Sequence, residues 1–498
     1  MNAYHPTKQI FQDLIKSGKA VEMWKEISAV GETPVSAYLK LGLEPYSCLL
    51  ESIEGEEKFA RYSFLAIKPF MVFQSKGNNV TLTKFSGIKQ RKPSKKTFRS
   101  QDPLETLKSC IAKIQLISED SSLPRLSGGA IGCIAYEYVK KIESIGNIQK
   151  EGIDLPELIF VFPKVVLAFD HLKNKIKIIR LVLPDEKTSY MAACRDIENT
   201  INALKQPIMI TTKRSSMSPV KSNTTKKEFE KSVIKAKRYI KDGDIIQAVL
   251  SQRLHAEYDG DTFEIYRALR ILNPSPYMYY FNFGDLKIIG ASPEILVRLE
   301  NGTAVLRPIA GTRPRGRDLS EDKKLQSDLL NDEKELAEHL MLVDLGRNDL
   351  GKVCNFGSVK LKKFMIVERY SHVMHIVSEV SGVLNKNISS FDLFKATFPA
   401  GTVSGAPKIR AMQIIEELEP TRRGLYAGAV GYFDYRGNMD FAINIRTIIV
   451  KGKHAYIQAG AGIVADSVPE KEYEETLNKS RAMLKAIEMA ANKVVSGW

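Results

Sequence analysis

The stretch ELAEHLMLVDLGRND at residues 335–349 decides the fold of this chain. Apolar residues recur there at helical spacing and predict a helix over residues 332–345: Leu336, Leu340 and Val343. Glu335, Glu338 and His339 fall on a second face of that helix, which brings two carboxylates and an imidazole to one side. Charge runs on helices are usually solvated surfaces, so this segment alone leaves a plain surface face as the alternative.

A second carboxylate face lies near the end of the sequence. Residues 470–492 are predicted to form a helix on which Glu472, Glu475 and Lys479 point away from the core. Carboxylates from two helices that meet around a gap would suit Mg²⁺, which prefers oxygen ligands and often bridges to an anionic substrate.

Two features between these helices suggest a site for a carboxylate. Arg446 lies on the less apolar face of a strand predicted over residues 440–450, although an arginine that points to solvent explains the pattern equally well. The stretch AGAGIVA at residues 459–465 matches a dinucleotide fingerprint only loosely, because no helix begins inside it. We predict a glycine turn at Gly460 to Gly462 whose N–H groups cradle a carboxylate.

The organisation of the chain suggests two domains. The 498 residues would give three domains at about 150 residues each. A polar, breaker-rich stretch at residues 205–225 is typical of a linker, and we place the boundary there, with an N-terminal domain at 1–215 and a C-terminal domain at 216–498. Thr225 and Glu228 form a capping box that opens a helix. Long strands, including one over residues 360–380, alternate with helices in an α+β pattern.

The charge balance restricts the class of partner. Basic residues outnumber acidic ones by 73 to 58, a net charge of +15, which attracts nucleic acid, an anionic membrane or a small acidic substrate. The basic stretch at residues 84–99 contains only Phe85 and Phe98 as aromatic residues, and residues 89–96 read as a solvated loop. A nucleic-acid-binding protein, the rival from another class, would interleave more aromatic residues with its basic residues.

The composition indicates a globular protein of the cytoplasm. With 44% hydrophobic residues the chain can bury a large core. The five cysteines are far apart and predict reduced thiols rather than a disulfide framework. We see no signal peptide and no membrane segment, so we expect a cytoplasmic protein without nucleic-acid or membrane partners.

Four motifs in order make the sequence resemble the chorismate-utilising enzymes. They are residues 308–316 (PIAGTRPRG), 335–349, 405–412 (GAPKIRAM) and 458–464 (QAGAGIV). The resemblance covers residues 225–490, and over the whole chain it is to the anthranilate-forming members of the family. It implies an α+β fold with two orthogonally packed antiparallel β-sheets flanked by helices.

The resemblance also implies a reaction and a set of site residues. Chorismate would be aminated by ammonia with loss of its C4 hydroxyl, and pyruvate would then be eliminated to leave anthranilate, which is the chemistry of an oxo-acid-lyase. Glu335 would be the acid for the departing hydroxyl and His375 would assist pyruvate elimination, while Glu338 and Glu475 would hold Mg²⁺. The residues implied to contact the substrate are Gly311, Thr312, Thr402, Tyr426, Arg446, Gly460, Ala461 and Gly462.

Two positions separate the branches of this family. Members that add water carry a lysine base where Gln247 stands, whereas ammonia is already a nucleophile and needs no such base. Members that form aminodeoxychorismate, the closest alternative, carry a nucleophilic lysine at the place of Ala310. Gln247 and Ala310 therefore favour anthranilate formation.

The resemblance further implies regulation and a partner. The motifs LLES at 49–52 and NPSPYM at 273–278 resemble a tryptophan feedback site, although either alone reads as a strand end or a turn. The residues implied to contact tryptophan are Ser52, Pro276, Tyr277 and Met278. We recognise no glutamine amidotransferase portion, so we expect a hetero-oligomer in which a separate amidotransferase subunit delivers ammonia, with part of residues 128–136 at the interface.

Overall fold

The computed structural model describes residues 4–492 apart from 54–60, 87–90, 117–121, 147, 149, 209–214 and 371–372. Its helices and antiparallel sheets confirm the predicted α+β class. None of the helices in the described part of the chain combines the length and the apolar character that a bilayer crossing requires.

The helices lie mostly on the outside of the sheets. The α-helices are α1 Lys8–Lys16, α2 Pro34–Leu41, α3 Pro103–Ala112, α4 Tyr190–Leu204, α5 Lys226–Lys241, α6 Thr262–Leu272, α7 Leu319–Leu330, α8 Glu333–Gly351, α9 Ser390–Thr397, α10 Lys408–Leu418 and α11 Pro469–Ala491. Short 3₁₀ helices span Tyr136–Lys141, Pro184–Glu186 and Gly401–Val403.

The strands follow the chain from end to end. They are β1 Val21–Ser28, β2 Ser47–Glu51, β3 Tyr62–Lys76, β4 Asn79–Ser86, β5 Arg91–Arg99, β6 Gly129–Ile134, β7 Leu158–Asp170, β8 Lys175–Val182, β9 Ser216–Met217, β10 Lys221–Ser222, β11 Gln247–Asp259, β12 Tyr277–Phe283, β13 Leu286–Ser292, β14 Ile295–Glu300, β15 Thr303–Leu306, β16 Ile309–Pro314, β17 Lys360–Arg369, β18 Val373–Val383, β19 Gly405–Ala406, β20 Ala429–Asp434, β21 Met439–Ile443, β22 Thr447–Lys451 and β23 His454–Ile463.

Two antiparallel sheets share the long strands β3 and β7. The first sheet runs β1-β8-β7-β3-β2-β12-β13-β22-β23-β11. The second runs β5-β4-β3-β7-β6-β20-β21-β14-β15-β18, and both β16 and β17 also pair with β18. The register of β3 on β7 shifts between Pro69 and Met71, between the stretches that belong to each sheet. Strands that switch sheets at such bulges form the corners of orthogonal packings.

Strand pairing crosses the predicted domain boundary. Strand β2 pairs with β12, and β6 pairs with β20, so the N-terminal strands complete both sheets. Residues 209–214 of the predicted linker lie outside the described residues. The division into 1–215 and 216–498 stays a prediction.

Three local predictions were wrong. Residues 360–380 form the two strands β17 and β18 rather than one. The strand predicted over residues 440–450 is broken between β21 and β22. Residues 91–99, part of which we predicted as a loop, form the edge strand β5. Its exposed lysines give it no alternating hydrophobic pattern, and charged side chains of this kind are common on sheet edges.

Candidate active site

Helix α8 brings two carboxylates to the edge of a cleft. Asp332 caps the helix by accepting hydrogen bonds from the backbone N–H groups of Lys334 and Glu335 at 3.1 and 3.2 Å. Burial raises the pKa of Glu335, and the nearby carboxylate of Glu338 raises it further. The side-chain amide of Gln247 donates to Glu338 Oε1 at 3.0 Å, which joins α8 to the start of β11.

Helix α11 supplies the opposing charged groups. Lys479 Nζ lies 2.6 Å from Glu475 Oε1 and also donates to the carbonyl oxygen of Gly460 at 3.0 Å. Glu472, predicted to face away from the core, is buried, and burial raises its pKa. The ammonium of Lys334 on α8 acts on Glu472 in the opposite direction, so the first turns of the two helices interact electrostatically.

His339 does not join these carboxylates, and that prediction was wrong. Its imidazole is fully buried against the sheet, with Nε2 2.6 Å from the hydroxyl oxygen of Ser378 on β18. Burial lowers the pKa of His339 to about 4, so the ring is neutral. A neutral ring with a polar partner can replace an apolar residue at a core position.

Gly460 and Gly462 lie within β23, so the predicted turn is an extended strand. Both glycines occupy the same face of the strand because side chains alternate. A β-carbon on Gly460 would stand 2.7 Å from the Tyr426 hydroxyl oxygen, and one on Gly462 would stand 2.6 Å from Gln247 Nε2. Ala461 lies between them and is buried in a core cluster. The two glycines therefore present bare backbone to Tyr426 and Gln247.

Arg446 occupies the break between β21 and β22. Its backbone adopts a left-handed conformation with φ of 51°, which ends the strand that the sequence predicted as continuous. Its Nη1 donates to the carbonyl oxygen of Lys479 at 2.9 Å. Burial lowers the pKa of Arg446, while Tyr426 and Glu475 act in the opposite direction, so the guanidinium lies within the field of both groups.

His375 on β18 faces the register shift in β16. Its Nδ1 lies 2.9 Å from the carbonyl oxygen of Gly311 and 3.1 Å from Thr312 Oγ1. Because a carbonyl oxygen only accepts, Nδ1 carries the proton and Nε2 is left with a free lone pair. Burial lowers the pKa of His375, and the charge of Arg446 lowers it further. A β-carbon on Gly311 would stand 3.4 Å from Glu335 Oε2, so this part of β16 also lies close to the carboxylates of α8.

A buried acid that the sequence did not reveal lies beside Thr402. Glu294 and Thr402 line a cavity of about 50 Å³. Burial raises the pKa of Glu294 to about 8, although the Thr402 hydroxyl and the Lys479 ammonium act against that rise. The only local signal is a glutamate directly before the apolar strand β14, and its chemistry depends on segments that lie far away in the sequence.

The predicted metal ligands make protein contacts. Glu338 accepts from Gln247, and Glu475 pairs with Lys479. Within the described ranges, no three His, Cys, Asp or Glu side chains are grouped so that they could hold a metal ion. The assignment of Mg²⁺ to Glu338 and Glu475 stays a prediction.

The four predicted effector residues line one cavity of about 40 Å³ between β2, β12 and β20. They are Ser52, Pro276, Tyr277 and Met278. The hydroxyl of Tyr277 donates to Asp440 Oδ1 at 2.9 Å and accepts from Arg298 Nη2 at 3.0 Å. The cavity wall thus carries the charged groups of Asp440, Glu51 and Arg125 among apolar and aromatic side chains, and its assignment to tryptophan stays a prediction.

Residues 128–136, part of which we expected at the partner interface, are buried within this chain. Strand β6, which forms most of that stretch, is fully buried between β7 and β20. Its alternation of small and apolar residues fits the interior of a sheet, so its side chains cannot meet another subunit.

Comparison with known proteins agrees with this fold. Residues 22–485 match the family model described as chorismate binding enzyme. The chain therefore belongs to the family of chorismate binding enzymes, which confirms the resemblance seen in the sequence.

Relatives that match nearly the whole chain include anthranilate synthases. Anthranilate synthase component 1 from Acetivibrio thermocellus is 46% identical over 98% of this chain and 99% of the relative, and that from Aquifex aeolicus is 48% identical over 96% of each. The crystal structure of anthranilate synthase component I from Streptococcus pneumoniae is 42% identical, covers 86% of this chain and 93% of its own, and superposes with a TM-score of 0.75. The menaquinone-specific isochorismate synthase from Escherichia coli shares the fold, at 18% identity and a TM-score of 0.70 over 96% of this chain and 99% of its own.

Proposed function

We propose that this chain is the aminating subunit of an anthranilate synthase, which converts chorismate and ammonia to anthranilate, pyruvate and water in tryptophan biosynthesis. The observation that carries the proposal is the contact between Gln247 and Glu338 at the cleft. An amide cannot remove a proton from water, so a site with Gln247 in this position suits a nucleophile that needs no base. The names of the near-full-length relatives support the same activity.

The walls of the cleft match the two carboxylates of chorismate. Arg446, Tyr426 and the bare backbone of Gly460 and Gly462 form one wall, which suits the enolpyruvyl carboxylate because a guanidinium and N–H groups bind it by charge-assisted hydrogen bonds. Thr402 would contact the substrate from the neighbouring cavity.

The opposite wall is suited to Mg²⁺. Burial raises the pKa of both Glu335 and Glu472, and the neighbouring carboxylates of Glu338 and Glu475 raise them further, so each helix carries carboxylates that repel one another. A cation that takes oxygen ligands would relieve this repulsion, and Glu338 and Glu475 would hold it. When bound, Mg²⁺ would offset the charge of the ring carboxylate.

Two carboxyl groups are available for the departing C4 hydroxyl. Glu335 is the acid implied by the sequence, and its raised pKa favours the protonated form. Glu294 has a pKa of about 8 and carries its proton at neutral pH, so we propose that Glu294 donates it. His375, neutral and with Nε2 free to accept, would remove the C2 proton as pyruvate leaves.

We further propose inhibition by tryptophan and a separate source of ammonia. The cavity lined by Ser52 and Met278 combines apolar walls with Asp440, which suits an indole that carries an ammonium group. Ammonia would come from a separate amidotransferase subunit in the cytoplasm, as the designation component 1 of the relatives suggests.

The purified chain tests this function directly. With chorismate, Mg²⁺ and ammonium it should form 2-aminobenzoate and pyruvate, and with glutamine in place of ammonium it should form neither. A product identified as 4-amino-4-deoxychorismate would favour the alternative branch. Turnover with glutamine in the absence of a partner would contradict the assignment of a separate amidotransferase.

A further inference from the structure

A buried arginine lies directly behind the wall that faces the enolpyruvyl carboxylate. We propose that Arg423 is a positioning residue that sets the geometry of this wall by holding Tyr426 and the segments that carry Thr402 and Gly460. The proposal rests on the proposed function, because it assumes that these residues meet the substrate.

Arg423 uses four of its five N–H donors on three parts of the chain. Its Nε and Nη2 donate to the two carboxylate oxygens of Glu419 at 2.9 and 2.7 Å. Its Nη1 donates to the carbonyl oxygen of Val403 at 2.7 Å, and Nη2 also donates to that of Val249 at 2.7 Å. One planar group thus fixes the distances between α10, the 3₁₀ helix Gly401–Val403 and β11.

Two of these backbone contacts lie next to candidate substrate residues. Val403 directly follows Thr402. Val249 pairs with Gly462 across β11 and β23, and its Cγ1 lies 3.1 Å from where a β-carbon of Gly460 would stand. A shift of the Val249 backbone would therefore also shift Gly462, its partner in the sheet.

The Arg423 side chain also orients the ring of Tyr426. The guanidinium carbon lies 5.4 Å from the Tyr426 ring centroid and 4.7 Å from that of Tyr136, within the range of cation–π attraction. The hydroxyl of Tyr426 is the group that approaches Gly460. Arg423 thus acts on the substrate wall through a ring as well as through two carbonyl groups.

Glu419 extends the same network to the other strand of the wall. Its Oε1 accepts from the backbone N–H and the hydroxyl of Ser251 at 2.8 and 2.7 Å. Gln458 donates to the hydroxyl oxygen of Ser251 at 2.9 Å, and Ser251 lies opposite Gly460 in the strand register. The network therefore reaches every element of this wall except Arg446.

A buried ion pair is a weak source of stability, since well-packed apolar residues often replace one without loss. Arg180 is a matched control for Arg423 far from the cleft, because both side chains are 2% exposed. Like Arg423, Arg180 donates to carboxylates, those of Asp196 and Glu186, and to a backbone carbonyl oxygen, that of Leu181. If Arg423 only stabilises the fold, its replacement should resemble that of Arg180.

The test compares Arg423→Lys with Arg180→Lys in the full chain, by steady-state kinetics with chorismate, ammonium and Mg²⁺. We expect Arg423→Lys to raise the KM for chorismate by about tenfold or more, because lysine cannot make the bidentate and backbone contacts together, while the KM for ammonium changes less than about twofold. Arg180→Lys should lower the unfolding midpoint and leave both KM values unchanged.

A milder pair of variants covers the case in which Arg423→Lys does not fold. Glu419→Gln keeps the shape of the network but weakens its charge-assisted bonds, and should raise the KM for chorismate about threefold, whereas Asp196→Asn should not change it. The positioning role alone would be overturned if the two variants of each pair, Arg423→Lys with Arg180→Lys and Glu419→Gln with Asp196→Asn, had equal KM values for chorismate. A rise in the KM for ammonium that parallels the rise in the KM for chorismate would also overturn it. A wild-type chain that does not aminate chorismate would overturn the proposed function, and the positioning role with it.

Discussion

Replacing Glu294 with glutamine should stabilise the protein above neutral pH while it abolishes turnover. Burial raises the pKa of Glu294 from its ordinary value of 4.5 to about 8. Between these two values the unfolded chain carries the ionised carboxylate while the folded chain keeps the proton. The group's contribution to stability is therefore complete below about pH 4.5 and is lost as the pH rises toward 8.

The size of the effect follows from the pKa difference. One proton bound only by the folded state makes the free energy of unfolding fall by about 1.4 kcal/mol per pH unit. Between about pH 6 and pH 7.5 the wild-type chain should lose about 2 kcal/mol through Glu294, and the Glu294→Gln variant should not lose this amount. A glutamine has no proton to donate, so turnover should fall by about 10²- to 10⁴-fold at every pH.

Urea unfolding at these two pH values, together with the pH dependence of kcat, measures both effects. Glu137 offers a matched control, because burial raises its pKa too. It lies away from the cavity of Glu294 and accepts a hydrogen bond from the Gly424 N–H group. Glu137→Gln should change the pH dependence of stability and leave that of kcat intact. If wild type and Glu294→Gln lose the same stability over this interval, or if the wild-type kcat does not decline above about pH 8, Glu294 is not the buried acid described here.

Three further variants test the remaining site assignments. Glu338→Gln should abolish turnover and weaken the dependence on Mg²⁺ by removing one anionic ligand, and an unchanged Mg²⁺ titration would exclude Glu338 from the metal site. His375→Gln should lower kcat by about 10²-fold or more and let the aminated intermediate accumulate, and chromatography that shows loss of turnover with no intermediate would contradict its role in pyruvate elimination. Ser52→Phe should fill the effector cavity, leave catalysis intact and raise the tryptophan concentration needed for half-inhibition by about tenfold or more, and an unchanged value would show that tryptophan binds elsewhere.

Long motifs revealed the fold class and the family, because each joins many residues in fixed order. Local signals also worked where the chemistry is local: Thr225 and Glu228 form the predicted capping box, and α5 begins at the next residue, Lys226. The break at Arg446 could not be predicted, because every neighbouring residue favours a strand and the left-handed conformation arises from tertiary contacts. The buried acid Glu294 could not be recognised for the same reason, since the burial that raises its pKa is produced by segments that lie far away in the sequence.

Helix α8 shows how such a failure bears on function. The predicted apolar stripe holds at Val343 but fails at Leu340, which is 44% exposed, whereas His339 is fully buried. A rotation that buried Leu340 would turn Glu338 away from Gln247 and leave Ser378 without the imidazole. The polar contacts of the adjacent residues Glu338 and His339 therefore fix the rotation of α8 about its axis, and in this rotation Leu340 stays exposed. Hydrophobic periodicity alone cannot predict this orientation, because it assigns no weight to a neutral histidine with a buried partner.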